Sequence, residues 1–146
     1  MPGRVWKIVG ALLLLGVAFS GCSSTPANDF EAGECTNDSL TGSVGEIDTV
    51  DCDEEHTAEA FAQFDLEGDD DDFPGADEVS QQATEGCQGD RFEEYVGIAY
   101  DESKYISQSI NPTEETWGNG DRTVICVIGS TVDGSELDGS VKDSGE

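Results

Sequence analysis

Four cysteines, Cys35, Cys52, Cys87 and Cys126, constrain what this 146-residue chain can fold into more than any other feature. An even set of cysteines in a secreted domain of about 100 residues argues for a disulfide framework. Two bridges are therefore expected, and three pairings would satisfy them. Zinc is the competing use of such cysteines, but no C-x-x-C pair occurs and His56 is the lone histidine. Cross-links also suit a chain this short, because a small core buries a smaller share of its surface than a large one does.

The fifth cysteine, Cys22, stands apart, and its setting is what makes the chain read as exported. Arg4 and Lys7 open the sequence, no acidic residue occurs before Asp29, and an apolar run follows from Ile8 to Phe19. Ser20 and Gly21 then precede Cys22. Charged, apolar and small residues in that order form a secretory signal. The run is too short for a bilayer-crossing helix, which needs roughly 20 apolar residues. Phe19-Ser20-Gly21-Cys22 resembles the bacterial lipobox, although Leu is more usual where Phe19 stands. That resemblance implies cleavage after residue 21 and lipid, including palmitate-type acyl chains, on Cys22. Two or more acyl chains anchor a protein firmly. The expected location is the extracytoplasmic face of the cell membrane.

Removal of residues 1–21 would take Arg4 and Lys7 away. Four basic residues would then remain against 33 acidic ones, a formal charge of −29. Such a surface repels nucleic acid and anionic lipid alike, so contact with the membrane should come from the anchor alone. The acidity serves solubility, and it would also tolerate cations or a basic partner.

Residues 22–33 are small, polar and acidic and read as a flexible tether. Residues 131–146, rich in Gly, Ser, Asp and Glu, read as a disordered acidic tail. A single domain over 34–130 lies between them. Within it, Val44–Cys52 reads as a strand. Thr57–Leu66 suits either strand or helix, and the alternation of Ala60, Ala62, Phe64 and Leu66 favours strand. A helix is predicted from Ala76, because Val79, Ala83 and Cys87 fall at i, i+4 and i+8 on one face. Asp77 and Glu78 sit in its first turn, where the helix dipole favours acids. Phe92, Tyr95 and Val96 suggest a second short helix, and Lys104–Ile110 another strand. Thr123–Ile128 is apolar on both faces, the pattern of a central strand. The expected fold is α+β: a small mixed or antiparallel sheet with one or two helices packed on it. In that arrangement Cys87 can face Cys126, and Cys35 with Cys52 can close a local loop.

Three constellations could carry chemistry. His56, flanked by Glu54, Glu55 and Glu59, has the residue types of a general base or a pH sensor, or of a hydrogen-bonded strand end. No nucleophile motif accompanies it, so no catalysis is expected. Asp65, Glu67 and Asp69 begin like a calcium loop. Asp70 and Ala76 occupy the positions that need Gly and Glu, so a solvated acidic loop is the better reading and no metal or cofactor is assigned. Trp117, Asp121 and Arg122, with His56, make a candidate binding patch, since Trp and Arg anchor interfaces. Asn119-Gly120-Asp121 equally reads as a turn feeding the central strand, and the turn role is the stronger.

The run Val50-Asp51-Cys52-Asp53-Glu54-Glu55-His56-Thr57-Ala58-Glu59 has the form V-x-C-x-x-x-H-x-A-E. It resembles the signature of the septum formation domain family of exported and membrane-tethered actinobacterial proteins. Matching pieces follow in order: Phe64-Asp65-Leu66, Phe73-Pro74-Gly75, Cys87 with Arg91-Phe92 and Tyr95-Val96-Gly97, Pro112-Thr113 with Trp117, and Gly120-Asp121-Arg122 with Val124-Ile125-Cys126. The resemblance spans residue 34 to about residue 128. It implies a cell-envelope role, linked by name to the division septum, without defining a biochemical activity. The resulting expectation is a lipid-anchored binding or scaffold module with a cell-envelope or division protein as partner. Weaker alternatives are an envelope sensor or calcium-binding protein using the acidic loop, and a hydrolase using His56.

Overall fold

The structure, a computed structural model, describes residues 23–40, 44–68 and 72–146. The predicted signal over 1–21, the lipid site Cys22 and residues 69–71 of the acidic loop lie outside the described residues. In chain order the strands are β1 (Ser23–Pro26), β2 (Cys35–Thr36), β3 (Glu46–Val50), β4 (Glu55–His56) and β5 (Ala58–Asp65). Helices α1 (Ala76–Gln88) and α2 (Asp90–Val96) follow, then β6 (Tyr105–Ile110), α3 (Glu114–Gly118), β7 (Thr123–Thr131) and β8 (Leu137–Asp138). Six strands form one sheet in the order β1-β3-β2-β5-β7-β6, and β4 pairs with β8. The described pairings are antiparallel. The fold is α+β, as the sequence patterns predict, with a short third helix besides the two expected. Among the described residues no helix is long and apolar enough to cross a membrane.

β7 organises the sheet. Val124 to Ile128 are all buried, and the strand runs between β5 and β6. On one face Val124, Cys126 and Ile128 meet the helices. On the other, Ile125 and Val127 meet Ala60 and Ile47. β5 has the irregularity that blurred its pattern. Ala60 pairs with Val127 and Ala62 with Cys126, so two steps on β5 match one on β7. This bulge places Phe61 on the helix side and restarts the alternation one residue later. Ala62, Phe64 and Leu66 then join Phe61 against the helices, while Ala60 faces the other way.

Val79, Ala83 and Cys87 bury the predicted face of α1. Helix and sheet approach closely at Gly86, where a Cβ would lie 2.2 Å from the Phe64 ring. α2 buries Phe92 and Val96 and stops at Gly97, whose φ of 92° suits glycine and whose N–H caps Glu93 O. Phe92 packs edge-to-face on Phe61 and Tyr100, at centroid distances of 5.6 and 5.1 Å. Both disulfides form. Cys87–Cys126 ties α1 to β7, and Cys35–Cys52 ties β2 to the turn after β3.

Two expectations about the ends need correction. The stretch read as a tether, 22–33, is part of the fold from Ser23 onward. β1 pairs with β3 from Ser23↔Thr49 to Pro26↔Glu46, and Phe30 is fully buried. Ala27 and Phe30, with Leu40 and Val44, cover the sheet face that the helices leave open. Gln63 Nε2 donates to Phe30 O at 2.7 Å. A strand apolar on both faces needs cover on both, and one phenylalanine in a polar stretch supplies much of it. Likewise, the stretch read as a disordered tail, 131–146, is ordered. Leu137 and Val141 are buried in the main core, β8 pairs with β4, and Asp143 and Gly145 donate their N–H groups to Tyr95 O and Val96 O. Two aliphatic side chains and backbone donors, rather than a dense apolar run, hold this segment down.

Candidate functional site: a buried carboxylate and histidine

The ordered C-terminal segment converges on Glu59. Leu137 pairs with His56 across β4 and β8, and three residues on, Ser140 and Val141 reach β5. Glu59 is fully buried, flanked in sequence by Ala58 and Ala60. Its Oε1 accepts hydrogen bonds from Tyr95 Oη and Ser140 Oγ, both at 2.7 Å, and its Oε2 accepts the Val141 N–H at 2.9 Å. An acid in an apolar setting needs this many donors to offset its lost hydration. Burial first, then the hydrogen bond to Glu59 and its charge, push the Tyr95 hydroxyl well above its ordinary titration range. Tyr95 therefore remains a donor.

His56 is also fully buried. Its Nδ1 lies 2.8 Å from Glu54 O, and its Nε2 lies 3.6 Å from Glu59 Oε2. The Ser140 and Tyr95 hydroxyls at this pair both bond to the carboxylate and not to the imidazole. The nucleophile–base contact that hydrolytic triads require is thus not made here. Neither His56 nor Glu59 lines the cleft of about 440 Å³ beside Phe73 and Ile110, or the one of about 340 Å³ beside Tyr105 and Leu137. The cluster fastens residues 137–141 to β4, β5 and α2.

The candidate patch of His56, Trp117, Asp121 and Arg122 divides in two. Trp117 is 2% exposed and packs edge-to-face on Phe73, so it belongs to the core. Arg122 stacks on the Trp117 ring, 3.7 Å from its centroid, and its Nη1 donates to the carbonyls of Trp117 and Asp121. Asp121 Oδ1 accepts the Thr123 N–H. These three make one turn-and-stack unit that launches β7, while His56 belongs to the Glu59 cluster. The Sγ atoms of Cys35 and Cys52 and a Glu59 oxygen lie within 4.8 Å of one another, but the sulfurs are bonded to each other. In the acidic loop, Asp65 accepts a hydrogen bond from Thr123 Oγ1.

A family model described as "Septum formation" matches residues 32–145, most of the chain. The chain belongs to the septum formation family. No curated protein and no solved structure matches it. The family match runs past Val141, so the ordered C-terminal segment is part of this septum formation domain. Each fixed residue of the V-x-C-x-x-x-H-x-A-E signature has a structural counterpart here. Val50 pairs with Cys35, Cys52 closes the bridge to Cys35, and Ala58 is buried at the start of β5. His56 and Glu59 meet in the interior. Sequence reasoning named Glu59 only as a neighbour of His56 and gave no part in the site to Tyr95, Ser140 or Val141. The available signal was an acid inside the run Ala58 to Phe61.

Proposed function

We propose that this septum formation domain is a non-enzymatic, lipid-anchored binding or scaffold module on the extracytoplasmic face of the cell membrane, engaging a cell-envelope or division protein. Family membership carries the envelope and septum part of the reading. The signal-like order of residues before Cys22 and the two disulfides support export. His56 and Glu59 are enclosed by the fold, with their partners inside the domain, which favours a surface-borne activity over chemistry at that pair. With a formal charge of −27 for the whole chain, the partner surface expected is neutral or basic. Metabolic labelling with a palmitate analogue should mark the wild-type chain and fail to mark Cys22→Ala. Labelling that survives the substitution would overturn the anchor. Imaging of the labelled protein in dividing cells should show enrichment at the septum, and uniform membrane staining would remove the division role.

A further inference from the structure

His56 and Glu59 leave one proton to be accounted for. The Glu54 carbonyl can only accept, so the Nδ1 atom 2.8 Å away must carry hydrogen. In neutral imidazole the other nitrogen is then a bare lone pair. That nitrogen, Nε2, is buried, has no hydrogen-bond partner and points at Glu59 Oε2 from 3.6 Å. An ionised Glu59 supplies no hydrogen either, and it already serves as acceptor to Tyr95, Ser140 and Val141. Two acceptors would thus face each other where solvent cannot screen them. One proton between Nε2 and Oε2 turns that repulsion into attraction.

We infer that Leu137–Glu146 is a strap whose closure is coupled to a proton held between His56 and Glu59. The strap's attachments converge on the two residues concerned. Leu137 pairs with His56, and Ser140 and Val141 bond to Glu59. Beyond them, Asp143 and Gly145 bond to the end of α2, and Glu146 bonds to Ser103 and Lys104. The other ionisable groups around the pair are accounted for by element. Tyr95 on α2 holds its proton as a donor to Glu59. Lys142, 6.0 Å from the Tyr95 ring centroid, Asp138 and Asp143 belong to the strap and are exposed, as are Glu54 and Glu55 at β4. Water and salt screen those five. The Cys35–Cys52 bridge beside Glu59 is uncharged.

Loss of the proton leaves Nε2 and Oε2 facing each other as two acceptors under the closed strap, a repulsion that opening relieves, so opening becomes easier as pH rises. Opening also withdraws Leu137 and Val141 from the core, making it a local unfolding event. The test uses the full-length chain, ¹⁵N-labelled and purified in detergent. Amide protection of Val141, Asp143 and Gly145, corrected for intrinsic exchange, is followed from about pH 6 to about pH 9 and compared with the β7 amides. Protection of the strap amides should fall relative to β7 as pH rises. Glu59→Gln cannot hold the proton and should abolish the pH slope; its amide NH2, set where Oε2 stands, would face the Val141 N–H, so strap protection should be lower at every pH. His56→Gln, which cannot titrate, should abolish the slope as well and serves if the first variant does not fold. Wild-type protection that stays parallel to β7 across the range would overturn the coupling, as would an unchanged slope in the folded variant.

Discussion

Breaking Cys87–Cys126 should cost this domain more than breaking Cys35–Cys52, and the structure gives the ratio. The first bridge spans 39 residues of sequence and the second 17. In the chain-entropy description, losing a loop of the longer size costs about 4 kcal/mol and of the shorter about 3 kcal/mol. Packing widens the gap. Cys87 and Cys126 are both buried in the main core, so a double change to alanine also leaves a small cavity costing roughly another 1 kcal/mol. Cys52 is only partly buried, and its bridge lies at β2 and the turn after β3. Domains have total stabilities of roughly 5–15 kcal/mol, so either loss is a large fraction. At about 4 °C per kcal/mol, the double variant Cys87→Ala/Cys126→Ala should melt about 15–20 °C below wild type, and Cys35→Ala/Cys52→Ala about 10–12 °C below. Thermal unfolding followed by near-ultraviolet circular dichroism and by fluorescence of the buried Trp117 reads both. A drop under about 5 °C for the long bridge, or a larger drop for the short one, would refute loop entropy as the main contribution.

Other consequences can be measured directly. Phe30→Ala should destabilise by about 3–5 kcal/mol in urea unfolding, because the ring is fully buried against the second sheet face, whereas a tether residue would cost nothing. Thr113→Ala removes the capping box that Thr113 and Thr116 form at α3 and should cost about 1 kcal/mol in the same assay. Hydrogen bonds from Thr131 and Ser135 lower the Asp133 carboxyl from its ordinary value to about 2, so its contribution is present above the ordinary carboxylate range and fades as pH falls towards 2. Carboxyl carbon shifts should show that low midpoint, and a midpoint near the ordinary value would mean the turn at Thr131–Ser135 does not form in solution.

Local patterns were legible wherever a residue's neighbours in space are also near in sequence. The i, i+4, i+8 face of α1 needed only a helical period, and the two-faced β7 only its run of apolar residues. The even cysteine count announced two bridges. β5 was harder, because the bulge at Phe61 breaks the alternation that identifies a strand. The ends escaped because composition cannot weigh one side chain. Phe30, Leu137 and Val141 are sparse in their segments, yet each fills a place prepared by the sheet or the helices. The Glu59 cluster was least legible, since its partners Tyr95, Ser140 and Val141 stand 36, 81 and 82 residues away. His56 drew attention as the lone histidine, but its role is set by what the fold places beside it. Asn119-Gly120-Asp121 reads as a turn in the sequence, and Trp117 and Arg122 stack on each other beside it, apart from His56.

The start of β1 at Ser23 bears on how far from the bilayer the proposed module could act. An extended Ser23–Gly33 leash would let the domain range roughly 36 Å above the headgroups. With Ser23 already paired to Thr49, a lipid on Cys22 leaves a single peptide link, about 3.8 Å between Cα atoms, between anchor and sheet. A domain seated that closely cannot search the periphery for its partner. It would meet only what comes to the membrane surface, with a fixed edge of its sheet turned towards the lipid.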